Sequence, residues 1–112
     1  MSVPINLTIE QGTDFSYTLT VDNDDGSPKD LTTYTAQSKM RRSYKSLTSY
    51  DITATITFPL NGEIKLSMLA ADSSLIPPGR YVYDLKIFSA DMIPVVTRVI
   101  EGIVTVTPQV TY

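Results

Sequence analysis

The sequence predicts an all-β fold: a single domain of about seven short strands stacked as two antiparallel layers. Three observations lead there. Fifteen Thr, ten Ile and nine Val stand beside seven Tyr and three Phe, whereas Ala and Lys number five each and Glu three. β-Branched and aromatic side chains suit a pleated, half-buried surface and lose rotamer freedom in a helix. Apolar and polar residues alternate with period two along most of the chain. Clusters of Asn, Asp, Gly and Pro then separate the alternating runs.

The elements follow in order. Ile5, Leu7 and Ile9 alternate with Asn6, Thr8 and Glu10 and predict a first strand. After Gln11-Gly12, a second strand carries Phe15, Tyr17, Leu19 and Val21 inward against Ser16, Thr18 and Thr20. Asp22 to Pro28 is a turn by composition. The third strand runs from Tyr34 to Arg42, with Ala36, Ser38 and Met40 inward and Thr35, Gln37, Lys39 and Arg41 outward. Ser43 to Ser49 reads as a loop. Ile52, Ala54, Ile56 and Phe58 define a fourth strand, and Ile64, Leu66 and Met68 a fifth. Asn61-Gly62 between them suits a two-residue hairpin turn with both residues at positive φ. Leu69 to Leu75 is the one stretch that fits a helical turn, because Pro77-Pro78 cannot continue a helix. Tyr81, Tyr83, Leu85 and Ile87 form a sixth strand. From Val95 to Thr107 the apolar parity changes, since Val95, Thr97 and Val99 share one face while Ile100, Gly102, Val104 and Val106 share the other. A bulge near Glu101-Gly102 reconciles the two halves.

Seven strands with turn chemistry between them read as an immunoglobulin-like antiparallel β-sandwich, with a small closed barrel as the alternative. The Cys–Trp–Cys core of antibody domains is missing, so only the architecture is implied. No internal repeat, linker or low-complexity segment divides the 112 residues.

Composition narrows the function. The chain has no His, Cys or Trp. Zinc sites of the usual kind, Ser–His or Cys nucleophiles, disulfides and a histidine pH switch are therefore excluded. Twelve acids against nine bases give a net charge of −3, which argues against a general binder of nucleic acid or anionic membranes. No apolar run reaches the ~20 residues of a membrane span, and Met1-Ser2-Val3-Pro4 does not begin a signal peptide, so a soluble, cytosol-made protein is expected. Glu10, Glu63 and Glu101 fall on separate strands, Asp84 is alone on its own, and five single glycines make no phosphate loop. The expectation is a protein that is not an enzyme, without cofactor, metal or small-molecule substrate.

Three features invite a functional reading. Asp22-Asn23-Asp24-Asp25-Gly26 has the oxygens a calcium ion wants, but counting from Asp22 puts Gly26 at position five and Thr33 at position twelve, which breaks the EF-hand pattern. A hairpin loop is the simpler reading. Lys39, Arg41, Arg42 and Lys45, with Tyr44 among them, form a basic group that reads first as a solvated or edge-guarding face, then as a contact for an acidic protein partner, and last as a contact for nucleic acid. Tyr17, Tyr81 and Tyr83 fall at core parity, Tyr81 being placed, with Asp84, to tie down a strand corner through its hydroxyl. Tyr34, Tyr44, Tyr50 and Tyr112 lie at strand ends, in the loop or in the tail, where an interface could use them. Pro108 closes the last strand and leaves Gln109, Val110, Thr111 and Tyr112 as a tail outside its own sheet, suited to strand addition onto a neighbouring subunit.

Four segments carry a resemblance over nearly the whole chain: Ile5 to Phe15, Gly26 to Thr35, Ile76 to Leu85 and Glu101 to Thr111. Their order and spacing resemble small tailed-bacteriophage virion proteins with an immunoglobulin-like sandwich, in the style of the N-terminal domain of phage baseplate upper proteins. The resemblance implies a structural role in the virion with no catalytic residue to carry over. Its partners would be other virion proteins, met as multiple copies in a symmetric assembly. Tail, baseplate or fibre adaptor is the expected place, with neck or capsid decoration as the alternative. The interface residues expected are Val3 in the Ser2–Pro4 segment, Lys39, Arg41, Arg42, Tyr44 and Lys45, and Gln109, Val110 and Tyr112 in the tail. Two further readings stay open: a carbohydrate-binding module using Tyr44, Tyr50 and loop aspartates, and an accessory domain acting on a host protein.

Overall fold

The computed structural model describes residues 3–23, 25–90 and 92–110. The fold is all-β, as expected. Its strands are β1 (Val3–Pro4), β2 (Leu7–Glu10), β3 (Phe15–Thr20), β4 (Thr35–Arg41), β5 (Ser49–Phe58), β6 (Glu63–Met68), β7 (Gly79–Phe88) and β8 (Val96–Thr107). A single helical turn, α1 (Ala70–Ser73), fills the stretch the prolines set aside. The strands join in the order β1-β8-β7-β4-β5-β6-β3, and β2 follows β1 along the same edge of β8.

Strand β5 accounts for the shape. Its first residues, Ser49 to Ile52, pair with β4, while Thr53 to Phe58 leave β4 and pair with β6. Two ladders thus share one long strand, and the sheet wraps nearly into a barrel around a single apolar cluster. Alternation supplies that cluster. Leu7, Ile9, Met40, Ile52, Leu66, Leu85 and Val104 are all buried, with Tyr81 and Tyr83 among them. The inward parity read from the sequence therefore holds on β2, β4, β6 and β7.

Buried polar groups are matched. Ser38 lies on the inward face, and its hydroxyl donates to the Asp84 carbonyl at 2.7 Å. Ser73 is buried under α1, where its oxygen accepts from the Gly12 N–H at 3.0 Å and its hydroxyl donates to the Thr13 carbonyl at 2.9 Å. The helical turn is thereby fastened to the β2–β3 turn. Tyr81 does pin a corner, but its hydroxyl donates back to the Pro77 carbonyl, at 2.5 Å, ahead of the strand and not near Asp84.

Four sequence expectations need correction. The first strand is broken at Ile5-Asn6, and both pieces run parallel to β8, so the fold is not wholly antiparallel. The break is built: the Asn6 side-chain carbonyl accepts from the Ile103 N–H at 3.1 Å, and Ile5 directs its carbonyl to the Tyr83 hydroxyl at 2.5 Å. Gly102 allows this approach, because a Cβ there would stand 2.2 Å from the Ile5 carbonyl oxygen. The bulge falls at Val99, between the pairs Leu85–Ile100 and Lys86–Arg98, two or three residues before the expected place. The fourth strand begins at Ser49, the last residue assigned to its preceding loop.

The β5–β6 connection is also different. Pro59–Asn61 form a 3-10 turn and Gly62 alone takes the left-handed conformation, with φ +68°. Pro59 fixes the φ that starts the 3-10 turn. Two other segments then bond to it, the Leu31 N–H to the Pro59 carbonyl and the Val21 N–H to the Gly62 carbonyl, both at 2.8 Å.

Register sorts the connections into two ends. The β7–β8 hairpin loop, the β3–β4 connection and the β5–β6 turn lie at one, the hairpin end. The β2–β3 turn, the β4–β5 loop, α1 and the close of β8 lie at the other, the helix end.

Candidate interaction surface

The outward face of β4, β7 and β8 carries charge in alternating rows. Lys39 pairs with Asp51 at 3.8 Å, and Arg98 bridges Asp84 at 3.4 Å and Glu101 at 3.3 Å. Exposed pairs of this kind each contribute little stability, but they hold a solvated face. A groove of about 300 Å³ runs between Gln37, Lys39 and Arg41 on one side and Val82, Asp84 and Lys86 on the other, with Tyr44 at its mouth.

The basic group is divided in its work. Arg41 donates from Nη1 to the Ser46 carbonyl at 2.8 Å, which closes the β4–β5 loop. Arg42 reaches the Pro78 carbonyl at 3.2 Å and lies 4.6 Å above the centre of the Tyr81 ring. Both guanidinium groups are thus fixed by the fold itself. Lys45 and Tyr44 project from the loop, Tyr44 being 81 % exposed. Tyr50, in contrast, packs its ring edge-on to Tyr81 at 5.9 Å and is half-buried, so it forms no platform beside Tyr44.

The termini are placed at two edges. Val3 lies in β1 opposite Ile100, on the outer side of β8. Gln109 is held within its own chain: its N–H donates to the Gln11 side-chain carbonyl at 3.2 Å. The Gln11 amide in turn donates to the Ile76 carbonyl at 3.0 Å. Val110 beyond it is 93 % exposed. Ser2, Thr111 and Tyr112 lie outside the described residues, as does Asp24 of the acidic loop. In that loop Asp25 spends one carboxylate oxygen on the Ser27 N–H at 2.9 Å and the Ser27 hydroxyl at 2.6 Å, which holds its carboxyl below the usual range. The loop's geometry is that of a closed turn, with Asp22 bridged to Pro28.

Several exposed apolar side chains were not singled out by the sequence pattern. Met92, Ile93, Val95 and Val96 cap the β7–β8 hairpin, Leu60 sits in the β5–β6 turn, and Leu47 tops the β4–β5 loop. The run Met92-Ile93-Pro94-Val95-Val96 is the available signal, but beside a strand it reads as the strand's own beginning.

Tyr83 gives the N-terminal edge a pH dependence. Burial, and then the neighbouring Tyr17, push its phenol from 10 up to about 12. The neutral phenol stabilises the fold fully below pH 10. Between pH 10 and 12 the unfolded chain ionises first, so stability falls as pH rises through this window. Urea midpoints measured across it should decline less steeply for Tyr83→Phe, which has no phenol to ionise.

No protein-family model matches the sequence, and no curated protein sequence matches it. Solved structures do share its fold. The N-terminal domain of phage TP901-1 ORF48 superposes with a TM-score of 0.55 at 13 % identity, over 89 % of this chain and 82 % of that one. AggA, the major subunit of aggregative adherence fimbriae type I from Escherichia coli, gives a TM-score of 0.49 at 12 % identity, over 96 % of this chain and 92 % of that one. At 13 % identity the likeness to the phage domain is one of fold alone.

Proposed function

We propose that the chain is a non-enzymatic structural component of a tailed-phage virion. It docks to other virion proteins in the tail, baseplate or fibre-adaptor region, in multiple copies within a symmetric assembly. The observation that carries this reading is the backbone likeness to a phage protein domain over nine-tenths of the chain. The surface supports it. The strand order stops at β3 on one side and at β1 and β2 on the other, leaving edges that can take another strand. The groups that could suggest chemistry are spent on the fold, Asp25 on Ser27 and Arg42 on Pro78 and Tyr81. Neck or capsid decoration uses the same docking physics and differs only in place.

Deletion of residues 109–112 tests the docking directly. Among the described residues the deletion removes the exposed Val110, the Gln109 N–H bond to Gln11 and the Gln109 side chain lying over Gly12, all past the end of the last strand, so thermal unfolding of the isolated domain should shift little. Occupancy on purified particles, read by quantitative mass spectrometry, should fall several-fold. Unchanged occupancy would remove the tail from the interface.

A further inference from the structure

Strand β3 is a sheet edge without the usual guards. Among the described residues it pairs with β6 alone, through six consecutive residues with no shift of register. Its sequence, Phe15-Ser16-Tyr17-Thr18-Leu19-Thr20, holds no charge and no proline. Folded proteins ordinarily blunt a free edge with charge, proline, a bulge or a very short strand. The opposite edge of this sheet has such devices: β1 is two residues long and contains Pro4, the chain breaks at Ile5-Asn6, and β2 ends on Glu10.

A cleft of about 490 Å³ lies beside the last residues of β3. Leu19 and Val21 line it from one side, and Ile5, Val99 and Ile100 from the other, so the wrapped sheet stays open between its two outermost strands. Its rim carries Asp22, Lys29 and Arg98, and Arg98 is already bridged to Asp84 and Glu101.

A row of free backbone N–H and C=O groups is matched by another strand and by little else. β3 is complementary to itself. In an antiparallel pair, residues opposite each other share a face. About a two-fold axis at Tyr17, Phe15 stands opposite the partner's Leu19, Ser16 opposite the partner's Thr18, and Tyr17 opposite the partner's Tyr17. Leu19 is buried, and Phe15 and Tyr17 pack half-buried against the core, while Ser16 and Thr18 are exposed. The apolar row therefore continues across the axis on the inner face, and the hydroxyl row on the outer. Aromatic–aliphatic and Ser–Thr pairs are both favourable across strands. Like charges do not meet. Asp14 falls against the partner's Thr20, and the flanking charges on β6, Lys65 and Glu63, are of opposite sign. An axis one residue on, at Thr18, would set Asp14 against the partner's Asp22.

We infer that two copies of the chain pair antiparallel through the free edges of β3, joining their sheets about a two-fold axis at Tyr17. The contact is isologous and closes at the dimer. Each copy's Phe15 then lies next to Leu19 of the other, where the cleft opens. The inference rests on the docking reading for its setting and names a second copy as what this edge takes.

Sedimentation of the full chain over a concentration series, together with cysteine cross-linking, tests it. One strand pair makes a small interface, so the wild type is expected to dimerise with a dissociation constant of about 100 μM or tighter and to grow no further. Thr18→Glu faces Lys65 within its own fold but sets two carboxylates close to the axis, and should weaken the dimer about 10-fold or more. Ser16→Glu is the second variant, and circular dichroism verifies that each folds. The chain has no Cys, so introduced thiols report without background. Under oxidation an equimolar mixture of Ser16→Cys and Thr18→Cys should cross-link as a heterodimer. Either variant alone should cross-link several-fold less, because like positions sit on the diagonal, beyond disulfide reach. A wild type that stays monomeric to about 1 mM overturns the inference. So does a dimer that neither Glu variant weakens, or a mixture that cross-links no better than its components. A monomeric chain still found in particles would refute only the β3 pairing, while a dimer absent from particles would refute only the virion reading.

Discussion

Gly62→Ala is expected to lower stability by about 3 kcal/mol or more, through a strained φ and the loss of backbone hydrogen bonds together. Gly62 sits at φ +68°, where any Cβ is strained. The added carbon would also stand 2.4 Å from the Val21 carbonyl oxygen and 2.8 Å from that of Lys29, and backbone cannot swing aside as a side chain would. The Val21 carbonyl already accepts from the Lys29 N–H at 2.9 Å, and the Val21 N–H donates to Gly62, so moving one strand of this knot breaks the others. Gly26→Ala is the control. Gly26 has φ +87° with nothing near a Cβ, so its alanine variant should cost only the backbone strain, about 1 kcal/mol. Urea unfolding separates the two, as midpoints that differ with an unchanged slope.

Leu66→Ala should cost about 3 kcal/mol, within the range for truncating a fully buried leucine. Leu66 is the middle of β6, opposite Tyr17 of β3 and Ala54 of β5, and is inaccessible to solvent. Ala54 is already small, so the neighbouring strand offers little with which to fill the space. Ile103→Ala on β8 is the comparison: Ile103 is exposed on the outward parity, and its truncation should cost less than about 1 kcal/mol. A loss at Leu66 no larger than at Ile103 would mean that the core is not closed where β5 crosses from one ladder to the other.

Much of this fold is legible in the alternation. A period of two assigns each side chain to one face, and it places Met40, Leu66, Tyr81 and Tyr83 inside without reference to any neighbour. What it does not carry is pairing. That β5 serves two ladders depends on where β4 stops accompanying it, and no residue in Ile52 to Phe58 encodes that locally. The break at Ile5-Asn6 depends on Gly102 and Tyr83, almost a hundred and almost eighty residues away. The Asn61-Gly62 turn shows a local rule overruled. Asn-Gly suits a two-residue hairpin, but Pro59 starts a 3-10 turn, and hydrogen bonds from Leu31 and Val21 hold it.

The surface was less legible, for a related reason. A basic run looks alike whether its arginines reach solvent or fold back. Arg41 and Arg42 are folded back, on Ser46 and on Pro78 with Tyr81, and Lys39 faces outward paired with Asp51, which leaves Tyr44 and Lys45 projecting from the loop. Met92 and Ile93 lie in the opposite case. Apolar residues beside a strand suggest burial, and only the hairpin's position at the end of the barrel exposes them.

The most direct measurement is the protein content of particles purified from cells infected with a phage that encodes this chain. Peptides from residues 30 to 98 should appear in the intact virion at a stoichiometry matching a symmetric ring or its multiple, and should remain after washing in high salt. Their absence from particles, with the protein abundant in the infected cell, would contradict the account.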